Sequence, residues 1–358
     1  MKIAQIAPLY EAVPPILYGG TERVVHYLTE ELIKEGHEVT LFASGDSVTS
    51  ARLISNVDTG LRLKPDCIDS LAHHIVQIQE VKERIHEFDI LHFHIDYLHF
   101  PFTEDLSIPS VTTLHGRLDI PDLAAVYNKF RSQKVISISR NQQKPLSQAN
   151  WAGAVHHGLP LDLHAPGQGQ GGYLAFVGRI SPEKGIIEAI EIAKASDTPL
   201  KIAAKIDNAD KEYYETHIKH LLDHPLITFY GEINEKQKTE FMGNAKAVLF
   251  PIQWEEPFGM VMIEAMACGT PVIAFSRGSV PEVIDDKQSG FIVKSVEEAV
   301  AAVYQLPQLS RNRVRKVFEE RFAASRMAKD YLNIYNSIIT AHGSENKEDF
   351  IMKPVYNN

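Results

Sequence analysis

The sequence predicts an α/β protein built as two parallel-sheet domains on either side of a hinge, with a ligand cleft between them. Three observations carry this expectation. Short apolar runs alternate with helical stretches along most of the chain, which is the pattern of β-α-β units. The series is interrupted by DLHAPGQGQGG at 162–172, a Gly/Pro/Gln-rich stretch without periodicity that has the composition of a linker. The length, 358 residues, suffices for two ordinary domains.

Taken in order, KIAQIA (2–7) predicts a first strand and 21–35 a helix capped by Thr21 and stopped by Gly36. HEVTLFA is the second strand. The loop 8–20 between strand and helix is long and holds Pro14, Pro15, Gly19 and Gly20. Parallel sheets bind ligands in the loops at the carboxyl ends of their strands, so the Gly pair is either a close-approach point or a plain turn. The dinucleotide fingerprint G-x-G-x-x-G is absent there, which disfavours a dinucleotide oxidoreductase. Further strands are expected at 88–95, 110–115, 134–139 and 154–158, then at 173–178, 200–205, 227–231, 247–251 and 271–275. Helices about 310–341 close the series, and 342–358 is expected to be a loosely ordered tail.

Composition narrows the partners. The net charge of −10 disfavours nucleic acid and a general anionic-membrane binder. Cys67 and Cys268 are too far apart in sequence for a zinc spacing, and two cysteines make no disulfide framework. MKIAQIAPLY is too short and polar for a signal h-region, and no run approaches a membrane span, so a cytoplasmic location is expected. The segment 127–144 carries five cations and no acid, and could touch an anionic acceptor or a membrane, or be a solvated face. His92, His94 and His115 fall at strand ends; no acid completes a metal set among them, and His115 before Gly116 is placed where a site residue would be.

The most informative stretch is PIQWEEPFGMVMIEAMACGTP (251–271). It predicts a strand end, a tight loop and a short helix, with Pro257 at the first helical position and Gly269 and Pro271 at its stop. The helix is apolar on nearly every face, hence buried, yet it carries Glu264. A buried carboxylate requires donors. Glu256 stands eight positions earlier, at the helix entrance, and the amides of Phe258, Gly259 and Met260 would form an anion seat there. Two carboxylates for hydroxyls and a seat for phosphate are the groups a nucleotide sugar needs. The alternative is a buried helix whose Glu264 is satisfied by a neighbouring Arg or backbone, with Glu256 as a cap. VGRISPEKG (177–185) adds Arg179 and Lys184 at a strand-to-helix turn of the same sheet, where they match a diphosphate or simply form a charged turn. No D-x-D occurs in the chain, so a metal is not expected, and the cations would do that work.

These residues resemble glycosyltransferase family 4, the retaining transferases with the GT-B fold. The family's E-x7-E element is similar to Glu256…Glu264, its phosphate-binding Arg and Lys to Arg179 and Lys184, its first Gly-rich loop to Gly19 and Gly20 in YGGTERVV, and its strand-end His to His115 in TLHGR. SRGSVPEVI (276–284) resembles a further family stretch, whereas HHGLP (156–160) departs from the family's usual run. The resemblance covers Met1 to about residue 340. It implies two Rossmann-like domains: an acceptor-side domain, 1–165, joined by a helix at about 325–341 that crosses back, and a nucleotide-sugar domain, 171–324. It also implies that Glu256 and the amides of 258–260 hold the sugar, that Glu264 binds the ribose, and that the backbone near Ile233 meets the base. Arg179 and Lys184 would neutralise the leaving diphosphate, His115 would reach the sugar, and Gly20 would let the acceptor side approach the phosphate. The donor would be a UDP-sugar, with GDP-mannose as the other possibility, and the acceptor a glycan, a lipid-linked or a small-molecule hydroxyl, with membrane contact at most peripheral. A sugar-nucleotide epimerase, a glycan phosphorylase and a non-catalytic sensor are the alternatives on this architecture.

Overall fold

The computed structural model describes residues 1–16 and 19–351, with side chains described to residue 344. Leu17 and Tyr18, and 352–358, lie outside the described residues. The chain divides into two compact units: Met1–Ile138, Pro145–His156 and the C-terminal segment from Ala324 form the first, and Ser139–Lys144 with His157–Ala323 the second.

The first unit runs β1 (Lys2–Ile6), α1 (Gly20–Lys34), β2 (Glu38–Phe42), β3 (Arg52–Ile54), α2 (Ser70–Glu83), β4 (Ile90–Phe93), α3 (Phe100–Thr103), β5 (Ser110–Leu114), α4 (Leu123–Lys129), β6 (Lys134–Ser137) and β7 (Asn150–Ala154). Its strands pair in the order β3-β2-β1-β4-β5-β6-β7, all parallel. The second runs β8 (Leu174–Arg179), α5 (Ile186–Ala195), β9 (Leu200–Lys205), α6 (Lys211–Tyr213), β10 (Ile227–Gly231), α7 (Glu235–Gly243), β11 (Ala247–Phe250), α8 (Met260–Ala267), β12 (Val272–Phe275), α9 (Val280–Val283), β13 (Gly290–Val293), α10 (Val296–Gln305) and α11 (Arg311–Arg321). Its order is β10-β9-β8-β11-β12-β13, again parallel. Each sheet therefore reverses strand order beside its first strand, at β1/β4 and at β8/β11. Those reversals open a crevice at the carboxyl edge, where α/β sheets take ligands.

The chain returns to the first unit through α12 (Ala324–Ile351). Its Tyr331 and Tyr335 are fully buried, and their hydroxyls meet Thr113, Gln5 and His92 of the first sheet. The helix runs on through 342–351, where the sequence reading had a loose tail.

Other differences are local. β7 ends at Ala154, so the strand expected at 154–158 lies earlier. β3 and β13 were not anticipated. Each is a short edge strand, with too few residues to display a period. The Gly-rich stretch is laid against the second unit, where the amides of Gly167, Gly169 and Gly171 donate to Cys268, Gly243 and Asn244. The basic segment 127–144 does not form one face: it is split among the end of α4, the mostly buried β6 and a 3-10 turn counted with the second unit.

Candidate active site

The loops after β8 and β11 are neighbours because the strands are neighbours. The amide of Gln253 donates to the carbonyl of Glu183 at 2.8 Å, tying one loop to the other. Gly185 sits at the crossing with φ +73°, and a Cβ there would stand 1.9 Å from the carbonyl oxygen of Pro251. Only glycine fits both the dihedral and the approach.

This closeness brings Lys184 to Glu256. The ammonium lies 2.5 Å from Oε2 of Glu256, and the Trp254 indole N–H donates to the same oxygen at 3.0 Å. Lys184 also lies 5.4 Å from the centre of the Trp254 ring. Arg179, at the end of β8, pairs with Glu183, and its Nε is 3.1 Å from an oxygen of Asp210. Burial raises the Glu183 carboxyl, but its own amide, the Ser181 hydroxyl and Arg179 outweigh that and leave it below the usual carboxylate range. Asp210 goes the other way, raised chiefly by burial against the pull of Arg179. The guanidinium thus serves Glu183 more than Asp210. Both cations expected at a phosphate are engaged by acids, Lys184 by Glu256 and Arg179 by Glu183 and Asp210.

The loop 254–259 is fixed from a second side. Gly278, with φ +56°, has no room for a Cβ, which would lie 2.4 Å from the backbone nitrogen and oxygen of Glu256. Its amide donates to Glu255 at 3.0 Å, and the Ser279 amide donates to the Glu256 carbonyl at 3.0 Å. The Ser279 hydroxyl donates to the Phe258 carbonyl at 2.7 Å. Glu282 in turn accepts from the amides of Arg140 and Asn141 at 2.8 and 2.7 Å. SRGSVPEVI is therefore the clamp on the Glu256 loop.

α8 starts at Met260, not at Pro257. Gly259 precedes it with φ +78°, and that left-handed cap leaves Pro257 and Phe258 in the approach to the helix. Phe258 is buried against His157 and Phe322. As at any helix start, the first amides have no partner within the helix, and with α8 starting at Met260 these are the amides of Gly259, Met260 and Val261 rather than those of 258–260. The far end closes in a Schellman motif: Thr270 N–H bonds Ala265 O and Gly269 N–H bonds Met266 O. Arg315 and Arg311 donate to the carbonyls of Ala267 and Cys268.

Glu264 is 4 % exposed, and its partner is neither an Arg nor the backbone. Lys238 of α7 donates to its Oε1 at 2.9 Å and lies 3.4 Å from Glu235. His164 completes the group, with Nδ1 2.8 Å from the Thr239 hydroxyl and Nε2 3.3 Å from Glu235. The ligand atoms of His164, Glu235 and Glu264 lie within 4.8 Å of one another, a spacing a cation could bridge. The Lys238 ammonium already stands at two of those carboxylates, so a metal would have to displace it. Burial, first, and Glu264, second, push the Cys268 thiol up to about 12, so it is not a nucleophile here. Ile233, half-buried, follows β10 just before Asn234, which caps α7 with a capping box to Gln237.

In the first unit, Gly19 and Gly20 stand at the N-terminus of α1. Among the described residues a Cβ on Gly20 would meet nothing within 4 Å. His115 follows β5. Its Nε2 is 2.9 Å from Nδ1 of His94, whose Nε2 is 2.7 Å from Oε1 of Gln5. His92 is held by Tyr335 and Thr113 at 2.5 and 2.7 Å. Burial lowers His115 to about 3 and takes His92 well below its ordinary value, so both rings are neutral. The structure thus brings Lys184 to Glu256, pairs Arg179 of the same turn with Glu183 and Asp210, sets Glu264 with Lys238, and joins His115 to His94. The sequence reading missed Lys238, Trp254, Asp210, Gly185, Gly278 and Ser279. Their positions follow from the fold, and only the two glycines carried a visible signal.

Two family models cover most of the chain: that described as glycosyltransferase family 4 matches residues 18–155, and that described as glycosyl transferases group 1 matches 167–322. An uncharacterized glycosyltransferase of Methanocaldococcus jannaschii is 24% identical over 388 residues, covering 94% of this chain and 98% of the relative. Among solved structures, sucrose-phosphate synthase of Thermosynechococcus elongatus superposes with a TM-score of 0.78 at 17% identity, over 95% of this chain and all (100%) of that one. Anabaena HepE, in complex with UDP and glucose, gives 0.70 at 18% identity, over 94% and 100%. These likenesses show a fold of two Rossmann-like domains, the GT-B architecture.

Proposed function

We propose, for a chain that belongs to the family 4 glycosyltransferases, that it moves a hexose from a nucleoside-diphosphate sugar to a hydroxyl acceptor with retention at the anomeric carbon and without a metal. The observation that carries the reading is the Lys184–Glu256 pair at the β8/β11 reversal, beside Arg179 and the start of α8. A diphosphate arriving there takes Lys184, Arg179 and the α8 amides as donors and releases Glu256 to accept from sugar hydroxyls. Glu264, paired with Lys238, accepts from the ribose, and the backbone at Ile233 meets the base. His115 and the backbone at Gly20 serve the sugar and acceptor side. HepE binds UDP, which favours a UDP-sugar, with GDP-mannose as the second donor class.

In the step itself the bond from the anomeric carbon to the diphosphate oxygen breaks and the bond to the acceptor oxygen forms on the same face. The acceptor proton passes to the leaving phosphate oxygen. The transition state resembles an oxocarbenium ion, positive at the sugar, and the negative charge develops on the diphosphate. Two cations and a helix N-terminus meet it, so the proposal calls for no divalent ion. The acceptor is a glycan, a lipid-linked or a small-molecule hydroxyl. A cytoplasmic location is part of this reading, and no described helix is long and apolar enough to cross a membrane.

The test is product analysis in EDTA with UDP-glucose, UDP-galactose and GDP-mannose against a glycan and glycolipid panel. Transfer that keeps the donor's anomeric configuration is expected. Inversion, or transfer restored only by magnesium or manganese, would overturn the corresponding part. Epimerised donor without transfer would favour the epimerase.

A further inference from the structure

The first unit holds a carboxylate without a donor. Asp96 follows β4, in the loop that leaves the strand's carboxyl end. Among the described residues no hydrogen bond or ion pair reaches its side chain. The residue is exposed, so a ligand can reach it, yet the protein around it desolvates the carboxyl and raises it to about 6, with no cation to offset the cost. A desolvated acid is ordinarily answered by a donor, as Lys238 answers Glu264. The charge of Asp96 bears on the buried Tyr127 hydroxyl, which burial first and Asp96 next push up. Tyr97, 37% exposed, acts on the same hydroxyl, so its phenol shares that locality.

The backbone does not account for the acid. Asp96 has φ +50°, in a tight turn that the Leu98 amide closes on the Ile95 carbonyl at 3.3 Å. Glycine or asparagine serves such a position as well, without a charge to satisfy. The topology supplies a reason. β4 lies between β1 and β5, so the Asp96 loop emerges between the loop that ends at Gly19 and Gly20 and the one that begins at His115. It stands at the reversal of the first sheet, on the edge where such sheets take ligands.

We infer that Asp96 is an acceptor-binding residue whose carboxylate accepts hydrogen bonds from the neutral hydroxyls of a sugar acceptor. The inference rests on the reading of the chain as a transferase with its acceptor on the first unit. A sugar brings what the position lacks, hydroxyl donors without negative charge, whereas an acceptor presenting phosphate or carboxylate there would be repelled. Asp96 takes no proton in the step, since the acceptor proton passes to the leaving phosphate oxygen.

The test is acceptor kinetics of the full chain with UDP-glucose, UDP-galactose and GDP-mannose against neutral glycosides, their 6-phosphates and glycolipids. Asp96→Asn keeps the side chain's shape and suits the left-handed backbone, and Asp96→Gly suits it without a side chain, so both should fold. The Asn variant should raise the acceptor KM about tenfold and the Gly variant about ten- to a hundredfold, the worth of a hydrogen bond to a charged group. The Kd for UDP or GDP should be unchanged, and Asp96→Asn should melt no lower than the parent. The parent should prefer neutral to phosphorylated glycosides, and Asp96→Asn should narrow that preference. Transfer by the parent with unchanged acceptor kinetics in both variants overturns the inference and leaves the transferase reading standing. So does transfer confined to phosphorylated acceptors, or an equal loss of nucleotide affinity, which would mark a structural role. A parent that transfers to no acceptor overturns the transferase reading, and the role of Asp96 with it.

Discussion

Replacing Gly185 by Ala should damage the site more than any removal of a charge does, because it acts on the backbone that aligns two loops. The residue is held at φ +73°, where a non-glycine residue costs about 1–2 kcal/mol. The added methyl would lie 1.9 Å from the Pro251 carbonyl oxygen, and backbone cannot rotate away as a side chain can. Forcing such a clash into a packed region costs about 1–3 kcal/mol more. The sum, roughly 2–5 kcal/mol, corresponds to a fall of at least about 4 °C in the melting of a unit of this size. The movement that relieves the clash pushes the loop after β11 away from the loop after β8, which parts Glu256 from Lys184 and Gln253 from Glu183. Calorimetric unfolding should show the second unit destabilised, and titration with nucleoside diphosphate should show weakened binding in the variant. A Gly185→Ala chain that melts within 1 °C of the parent (about 0.3–0.5 kcal/mol by the same scaling) and binds equally well would refute the coupling of the two loops.

Gly20→Ala is the contrasting case: with nothing among the described residues within 4 Å of the added methyl and a helical position to occupy, the fold should be unchanged or about 0.5–1 kcal/mol more stable, while turnover falls if a ligand approaches there. Lys184→Ala should lower kcat about 10²–10³-fold, the scale of losing one donor to a developing charge, with a much smaller change in nucleotide affinity. Equal losses in both would show uniform binding instead. A pH effect is expected at Glu22, buried in α1, whose carboxyl is raised to about 7 mainly by desolvation, against its own amide and Arg62. Its folded value lies above the unfolded one, so the native state holds the proton more tightly. The contribution to stability is whole below about pH 4.5 and is lost as pH rises through 7, by up to about 3 kcal/mol. Glu22→Gln should flatten that decline in a melting series from pH 4 to 9, and an unaltered slope would show that Glu22 does not titrate there.

Much of this was legible because parallel strands and their helices announce themselves by period, and because a lone acid in an apolar helix is conspicuous. Glu264 stood out in FGMVMIEAMAC for that reason, and the helix around it is buried as its composition required. What answers Glu264 was not legible. Lys238 sits on α7, an element with no periodic stripe of its own, and reaches Glu264 only through tertiary packing. The start of α8 was misplaced by three residues because Pro257 and Gly259 both mark helix starts, and the left-handed backbone at Gly259 decided between them. Of the histidines at the ends of β4 and β5 only His115, before Gly116, was placed as a site residue would be, and what holds them was not legible; the sheet places His94 against His115, and α12, distant in sequence, supplies hydroxyls to His92 and Thr113.

On the proposed function, the β8/β11 edge seats a nucleoside diphosphate on Lys184, Arg179 and the start of α8 without a metal. The measurement that tests it most directly is calorimetric titration of the full chain with UDP, GDP and ADP in EDTA and again with magnesium. Binding by UDP or GDP at the same affinity in both buffers is expected, weakened when Arg179 and Lys184 are both replaced by Ala. Binding that appears only with magnesium, survives the double replacement unchanged, or is absent for all three diphosphates would contradict it.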